Sequence, residues 1–403
     1  RYLPVGSTAS TDALWQIPVC VRYGSGRTTG EVCTLLTGPS GRVTIPGEAC
    51  PEWIMPNASA AGYYRFSLPA DDLARLLDDG WSHLTTPERL SVANNLRASF
   101  GASTIAAADL LPLLSRVAED DERLVATEPF PLLTSIVDDF ATDETRAAAR
   151  AWAGSLYAAR WRRLGWRPGR RETGETALFR RDLASFLVRV ARDERVRSDA
   201  AERGREYLGI GGDGAIHADA VSVDLVVPVL IAAVNVPPDG AARGPGSSEV
   251  FDAMTTHLFA TEDAILRQRL LTALGSIEDD AELAGRAIAL GLDPRVRVNE
   301  ILVPLQVQTE TPEGRERALT YVESSFDGLF ARVATTRAGY APLAFSGFCD
   351  EAHRARVEAF FTPRLELLPG APRNLRAALE AITLCAARRS AHAEGVAAFL
   401  AAR

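Results

Sequence analysis

Two spacings of apolar residues divide the chain. Up to about residue 69, short apolar runs alternate with turn residues, and from Pro69 onward apolar positions recur every three or four residues. The first spacing predicts strands and the second predicts amphipathic helices. Leu14-Trp15-Gln16-Ile17-Pro18-Val19-Cys20-Val21-Arg22-Tyr23 reads as a strand, with Gly24-Ser25-Gly26 as its turn. Residues 31–36, 42–45 and 63–68 supply further strands, and Gly38-Pro39-Ser40-Gly41 is a strong turn signal. Strands of this length and spacing suit a small β-sandwich over residues 1–69. The first run lies so near residue 1 that a further strand is expected ahead of it.

The helical part, residues 70–403, opens at Asp71 with Leu73, Leu76 and Leu77 on one face. Thr86-Pro87-Glu88 then offers an N-cap, a proline at the first helical position and an acid in the first turn, followed by Leu90, Ala93 and Leu96. A later helix carries Leu178, Phe179, Leu183, Phe186, Leu187 and Val190 on one side and arginines on the other. Another carries Ile265, Leu266, Leu270, Leu271 and Leu274 and ends at Gly275. About sixteen such helices follow one another, in pairs recurring roughly every 40 residues, which suits a HEAT-like α-superhelical solenoid better than a four-helix bundle. Stacked pairs of this kind produce a concave face, and function is expected there. Two connections are longer than the rest, residues 209–214 and 236–248.

Composition narrows the possibilities. At 403 residues, 47% hydrophobic and 24% charged, the chain has the balance of a globular protein with a sizeable core. Its longest apolar run, residues 225–236, is broken by Pro228 and Asn235 and is too short to span a membrane. The net charge of −8 argues against a nucleic-acid partner. The local exception, Arg160, Arg162, Arg163, Arg167, Arg170 and Arg171, reads as a solvated helix end and loop. The sequence contains no lysine, which removes the Walker A loop, the pyridoxal Schiff base and the S-x-x-K nucleophile together. The start has neither an initiator Met nor a signal-peptide pattern, and reads as part of a longer polypeptide. The five cysteines, Cys20, Cys33, Cys50, Cys349 and Cys385, form no C-x-x-C pair. The reading adopted is reduced, buried thiols, the alternative being a bridge between two of the first three.

Chemistry-bearing patterns are scarce. His83, His217, His257, His353 and His392 lie in no H-E-x-x-H, and no two are three to five residues apart, so no zinc site is expected within this chain. There is no G-x-S-x-G elbow. Gly209-Ile210-Gly211-Gly212-Asp213-Gly214 follows a helix rather than a strand and reads as an interhelical loop. Asp71-Asp72, Asp138-Asp139 and Asp279-Asp280 read as helix-end carboxylates facing the dipole or solvent.

The junction of the two spacings is the most informative stretch. Trp53-Ile54-Met55-Pro56-Asn57-Ala58-Ser59-Ala60-Ala61-Gly62-Tyr63-Tyr64-Arg65 resembles the motif that ends the small β domain of gluzincin-type zinc aminopeptidases, the aminopeptidase N-like and endoplasmic-reticulum aminopeptidase-like enzymes. Other stretches resemble the family in the family's order. They are Leu14-Trp15-Gln16-Ile17-Pro18-Val19, residues 84–90 with Glu88-Arg89, Leu164-Gly165-Trp166 with Glu172, Glu175 and Arg180-Arg181 behind it, residues 293–300, Phe360-Phe361 and Leu379-Glu380-Ala381-Ile382. Asn299-Glu300 replaces the family's usual glutamine–aspartate pair, and Asn94-Asn95 stands where an aspartate is common.

The resemblance implies the non-catalytic C-terminal portion of such an enzyme. The family's zinc-binding H-E-x-x-H and its G-A-M-E-N loop belong to an N-terminal catalytic domain, are absent here, and leave this chain expected to be inactive alone, with no cofactor of its own. The implied partners are that catalytic domain of the same polypeptide and peptide substrates. The implied role is to cap the active-site cleft, hold the distal part of the peptide and limit its size. Arg297 and Glu300 are the residues expected to touch peptide, through charge-assisted hydrogen bonds. Trp53, Asn57, Tyr63, Tyr64 and Arg65 are expected to pack at the domain junction. The alternative is a free-standing helical-repeat adaptor that binds a protein or peptide.

Overall fold

The computed structural model describes residues 2–10, 12–47, 49–236, 246–333 and 335–403, so most of the expected connection at 236–248 lies outside the described residues. The expected class holds. The chain is mainly helical, with a small antiparallel sheet at its N-terminal end.

The sheet has the order β2-β1-β3, with β1 (Ile17–Ser25), β2 (Thr28–Leu36) and β3 (Trp53–Met55). Ser25 pairs with Thr28 across a two-residue turn in which Gly26 takes φ +55°, a positive value that matches the strands' twist and suits glycine. Residues 42–45 and 63–68, expected as strands, join no ladder. The second of these is extended, but its backbone bonds to a helix instead: the Phe66 N–H donates to Asn95 Oδ1 at 2.9 Å. The β domain is therefore one three-stranded sheet, with no second sheet facing it among the described residues.

The first helices are α1 (Ala70–Arg75) and α2 (Thr86–Gly101). The cap of α2 is Thr85, one residue before the expected Thr86, and it forms a capping box with Glu88. Beyond them, after several short helical segments over residues 107–140, run α3 (Arg146–Leu164), α4 (Gly174–Arg189), α5 (Glu194–Tyr207), α6 (Val226–Asn235), α7 (Gly246–Ala260), α8 (Ala264–Gly275), α9 (Ala281–Ala289), α10 (Val303–Gln308), α11 (Pro312–Phe330), α12 (Glu351–Phe361) and α13 (Ala371–Ala401), joined by loops and shorter helical turns. No helix among the described residues is long and apolar enough to cross a membrane.

Contacts divide the chain into two compact units. The first comprises residues 1–136, 140–148 and 387–403, so the sheet and the first helices share one body. The second comprises residues 137–139 and 149–386. In the second unit α6 is apolar on nearly all sides and packs against α4, α5 and α8, as a central helix must. Gly204 lets α5 approach it; a Cβ there would stand 2.3 Å from the Val229 carbonyl oxygen. A further core gathers Ile288, Phe326, Phe345, Phe361 and Ile382. The expected faces of α4 and α8 are buried at Phe179, Leu183, Phe186, Leu187, Leu270, Leu271 and Leu274, whereas Ile265 is exposed just behind the Asp263 cap.

Four of the five cysteines are paired, which corrects the reduced reading. Cys20 and Cys33 are direct partners in the β1–β2 ladder, with Cα atoms 4.0 Å apart. Cys349 and Cys385 are brought together by helix packing, which sequence spacing cannot reveal. Cys50 is free and exposed.

Candidate functional site

At the junction motif, a single carboxylate joins three elements. Glu88 is fully buried, and its oxygens accept from Arg22 of β1 at 2.8 Å, from the Ser59 N–H at 2.9 Å and from the Thr85 N–H at 2.8 Å. Burial pushes its carboxyl up, but these hydrogen bonds and the Arg22 charge outweigh it and hold the group below its ordinary value. Ser59 and Ala60 take positive φ, and Asn57 closes this turn through both ends of its amide, to the Gly62 carbonyl at 2.9 Å and the Gly62 N–H at 2.8 Å. Trp53 is buried, stacks on His83 with ring centroids 5.8 Å apart, and lies so close to Gly24 that a Cβ there would be 2.4 Å from its ring. The Tyr64 hydroxyl donates to the Pro56 carbonyl at 2.7 Å, while Tyr63 and Arg65 are exposed. This is a structural seam with no reacting group.

The turn carrying Arg297 and Glu300 brings the two together, but through the backbone: the Arg297 N–H donates to Glu300 Oε2 at 3.0 Å. Glu300 is buried and takes a two-pronged contact from Arg267 of α8, at 2.8 and 2.7 Å. Burial raises its carboxyl, and the Arg267 and Arg297 contacts more than reverse that. The Arg297 guanidinium is half-exposed and pairs with Glu262. Arg332 holds the same turn by its carbonyls, at Gly291, Asp293 and Val296.

A different part of the second unit concentrates buried charge. Asn235, at the end of α6, bonds the Ser276 carbonyl at 3.0 Å and accepts from the Glu278 N–H at 3.0 Å, and Gln308 donates to the Gly275 and Ile277 carbonyls, each at 2.7 Å. These two amides fix the loop after α8 so that Glu278 and Asp279 meet Arg192, which sits with φ +48° in the α4–α5 turn. Arg197, in the first turn of α5, faces the same acids, and its Nε is buried with no hydrogen-bond partner. Asp138 and Asp139 enter from the turn at residues 136–140 and face Arg315 of α11. Arg315 donates from Nε to the Thr309 carbonyl at 3.0 Å and lies over the Phe348 ring at 5.6 Å.

Desolvation dominates this cluster. Burial, then the like charge of Asp139, pushes Asp138 up to about 7 against the pull of Arg315. Burial also raises Glu278 in spite of Arg192 and Arg197. It lowers Arg197, helped by the like charge of Arg192, and it lowers Arg315 and Arg317. Clusters of groups shifted in this way are candidates for a functional site. Sequence reasoning placed Asp138-Asp139 at a solvated helix end. The available signal was that the pair interrupts an apolar stretch whose Leu132, Leu133, Ile136, Val137 and Phe140 are all buried. Arg192, Arg197 and Arg315 carried no local signal.

The other candidates resolve simply. The 209–214 loop does follow a helix, and it lines a depression of about 310 Å³ with Glu249, Thr256 and His257. Arg162, Arg163, Arg167, Arg170 and Arg171 are exposed, as a solvated helix end and loop would be, and Arg160 lies over Phe179 at 5.0 Å. His392 is near Ser103 at 3.0 Å, but the same Nε2 donates to the Phe100 carbonyl at 2.8 Å, so it carries the proton and cannot serve as a base for that hydroxyl. Three metal-ligand-type side chains meet twice among the described residues, at Cys20, Glu31 and Cys33 and at Asp139, Cys349 and Cys385. Neither group includes a histidine, so these residues do not fit a histidine–carboxylate zinc centre.

The structure shows a small antiparallel sheet leading into a long series of packed helices. The chain belongs to the ERAP1-like C-terminal domain family, whose model matches residues 53–384. It is 26% identical over 126 residues to the puromycin-sensitive aminopeptidase of Caenorhabditis elegans. That match covers 31% of this chain and 13% of the worm protein, so the chain spans a small part of that relative.

Proposed function

We propose that the chain is the non-catalytic C-terminal portion of a zinc aminopeptidase that removes N-terminal residues from peptides. The observation that carries this reading is the family match over residues 53–384. The zinc and its ligands belong to a separate catalytic domain, and this chain caps the cleft with HEAT-like helix pairs, holds the distal part of the peptide and limits its length. The cluster of buried charge supports the binding role. A peptide end brings one carboxylate and several amide dipoles, and the Arg197 guanidinium, buried at Nε without a hydrogen-bond partner, offers the complementary donors. In the 293–300 turn the cations of Arg295 and Arg297 remain accessible for such a contact, whereas Arg267 and the Arg297 N–H occupy both oxygens of Glu300.

The test has two arms. The chain alone is expected to show no turnover of an aminoacyl anilide, with or without added zinc; zinc-dependent turnover would overturn the reading. Joined to the catalytic domain, Arg197→Ala is expected to raise KM for decapeptides about tenfold and leave the anilide unchanged. Equal effects on both substrates would remove this cluster from peptide binding.

A further inference from the structure

The Cys349–Cys385 bridge lies within the second unit, with both residues buried at 8% and 5% exposure. Cys349 follows the segment that packs on Arg315, where a Cβ at Gly347 would stand 2.7 Å from the guanidinium. Cys385 projects from α13. A half-buried Asp139 carboxylate oxygen completes the group, and the oxygen and both sulfurs all lie within 4.8 Å of one another. Asp139 also faces Arg315, which sets a cation beside the carboxylate. A carboxylate and two thiolates within this distance are a ligand set that a thiophilic cation can share once the bridge is reduced.

We propose that Asp139, Cys349 and Cys385 form a redox-gated binding site for a thiophilic divalent cation such as Zn²⁺, closed while the disulfide is intact. The opening step is a two-electron reduction by a dithiol. The S–S bond breaks, each sulfur takes a proton, and the dithiol leaves as its cyclic disulfide. The cation then displaces both thiol protons to solvent and is held by two sulfurs at about 2.3 Å and one carboxylate oxygen at about 2.1 Å, with a water in the fourth position. The charges fit. Two thiolates and a carboxylate carry −3, the ion brings +2, and Arg315, which faces Asp138 and Asp139, offsets the remainder. This inference does not depend on the peptidase reading.

Cobalt(II) is the probe, because its thiolate complexes absorb through sulfur-to-metal charge transfer. The full chain is reduced with dithiothreitol, desalted without oxygen and titrated with Co²⁺. The surface group Cys20, Glu31 and Cys33 is removed by testing the C20S/C33S variant, which is expected to bind about one equivalent when reduced and none when oxidised. Asp139→Asn is expected to weaken binding at least tenfold. If C20S/C33S does not fold, the comparison is between the wild-type chain and C349S/C385S, with one equivalent lost in the latter. No charge-transfer band in reduced C20S/C33S, an undiminished band in C349S/C385S, or unchanged affinity in D139N would each overturn the site.

Discussion

The sharpest test of the buried charge cluster is Asp138→Asn. In the folded chain Asp138 is pushed from 3.8 to about 7, so the native state holds this proton more tightly than the unfolded chain does. A raised acid contributes stability that is fully present below about pH 4 and is lost as pH rises through 7. Three pKa units correspond to about 4 kcal/mol in total, of which the part lost between pH 5 and pH 8 is about 3 kcal/mol. Asparagine keeps the size and removes the titration. The stability of D138N relative to wild type is therefore expected to increase by about 3 kcal/mol between pH 5 and pH 8, whatever the offset at pH 5. Urea unfolding at the two pH values measures this, followed by the fluorescence of Trp152 and Trp161, which are 6% and 8% exposed in the same unit. A difference independent of pH would refute the reasoning, because Asp138 would then be an ordinary ionised partner of Arg315.

Three further outcomes are expected. Arg267→Ala leaves Glu300 buried without its guanidinium and is expected to cost about 3–5 kcal/mol in urea unfolding, while Arg297→Ala, whose Glu262 partner is exposed, is expected to cost under about 1 kcal/mol. Glu88→Gln weakens the charge-assisted bonds to Arg22, Ser59 and Thr85 and is expected to cost about 2–3 kcal/mol at pH 7. Because the Glu88 carboxyl is depressed, that stability is present above its unfolded value and lost as pH falls through the folded one, so the gap between Gln and Glu should close in acid. Gly24→Ala drives a methyl into the Trp53 ring and is expected to cost about 1–3 kcal/mol, with a red shift in Trp53 emission.

What could be read in advance follows the range of the interactions. The start of α2 to within one residue, the apolar faces of α4 and α8 apart from Ile265, and the interhelical place of the 209–214 loop are set by residues a few positions apart and were legible. The junction motif was legible as a boundary, but its Glu88 centre was visible only as a first-turn acid, since Arg22 and Ser59 reach it across 66 and 29 residues. The strand expected at 63–68 has the right alternation, and it stays unpaired because Asn95 on α2 takes the Phe66 N–H. The buried charge cluster was least legible. Arg192, Arg197, Glu278 and Arg315 belong to different elements, and each looks locally like a solvated helix residue until packing removes the water.

Helix α13 gives its residues 387–401 to the first unit, where His392, Val396 and Leu400 are buried at four-residue intervals and the His392 ring stacks on Phe100 at 3.9 Å. On a ribosome, the part of this chain that emerges first is therefore among the last to be completed. Residues 1–136 must wait, unfinished, for residues 387–403 to leave the exit tunnel, and the second unit, wholly encoded between them, has every segment it needs sooner. Order of synthesis and order of closure run in opposite directions. A stalled or prematurely terminated chain would then expose the Phe100 surface of the first unit, a patch on which a chaperone or a protease can recognise an incomplete product.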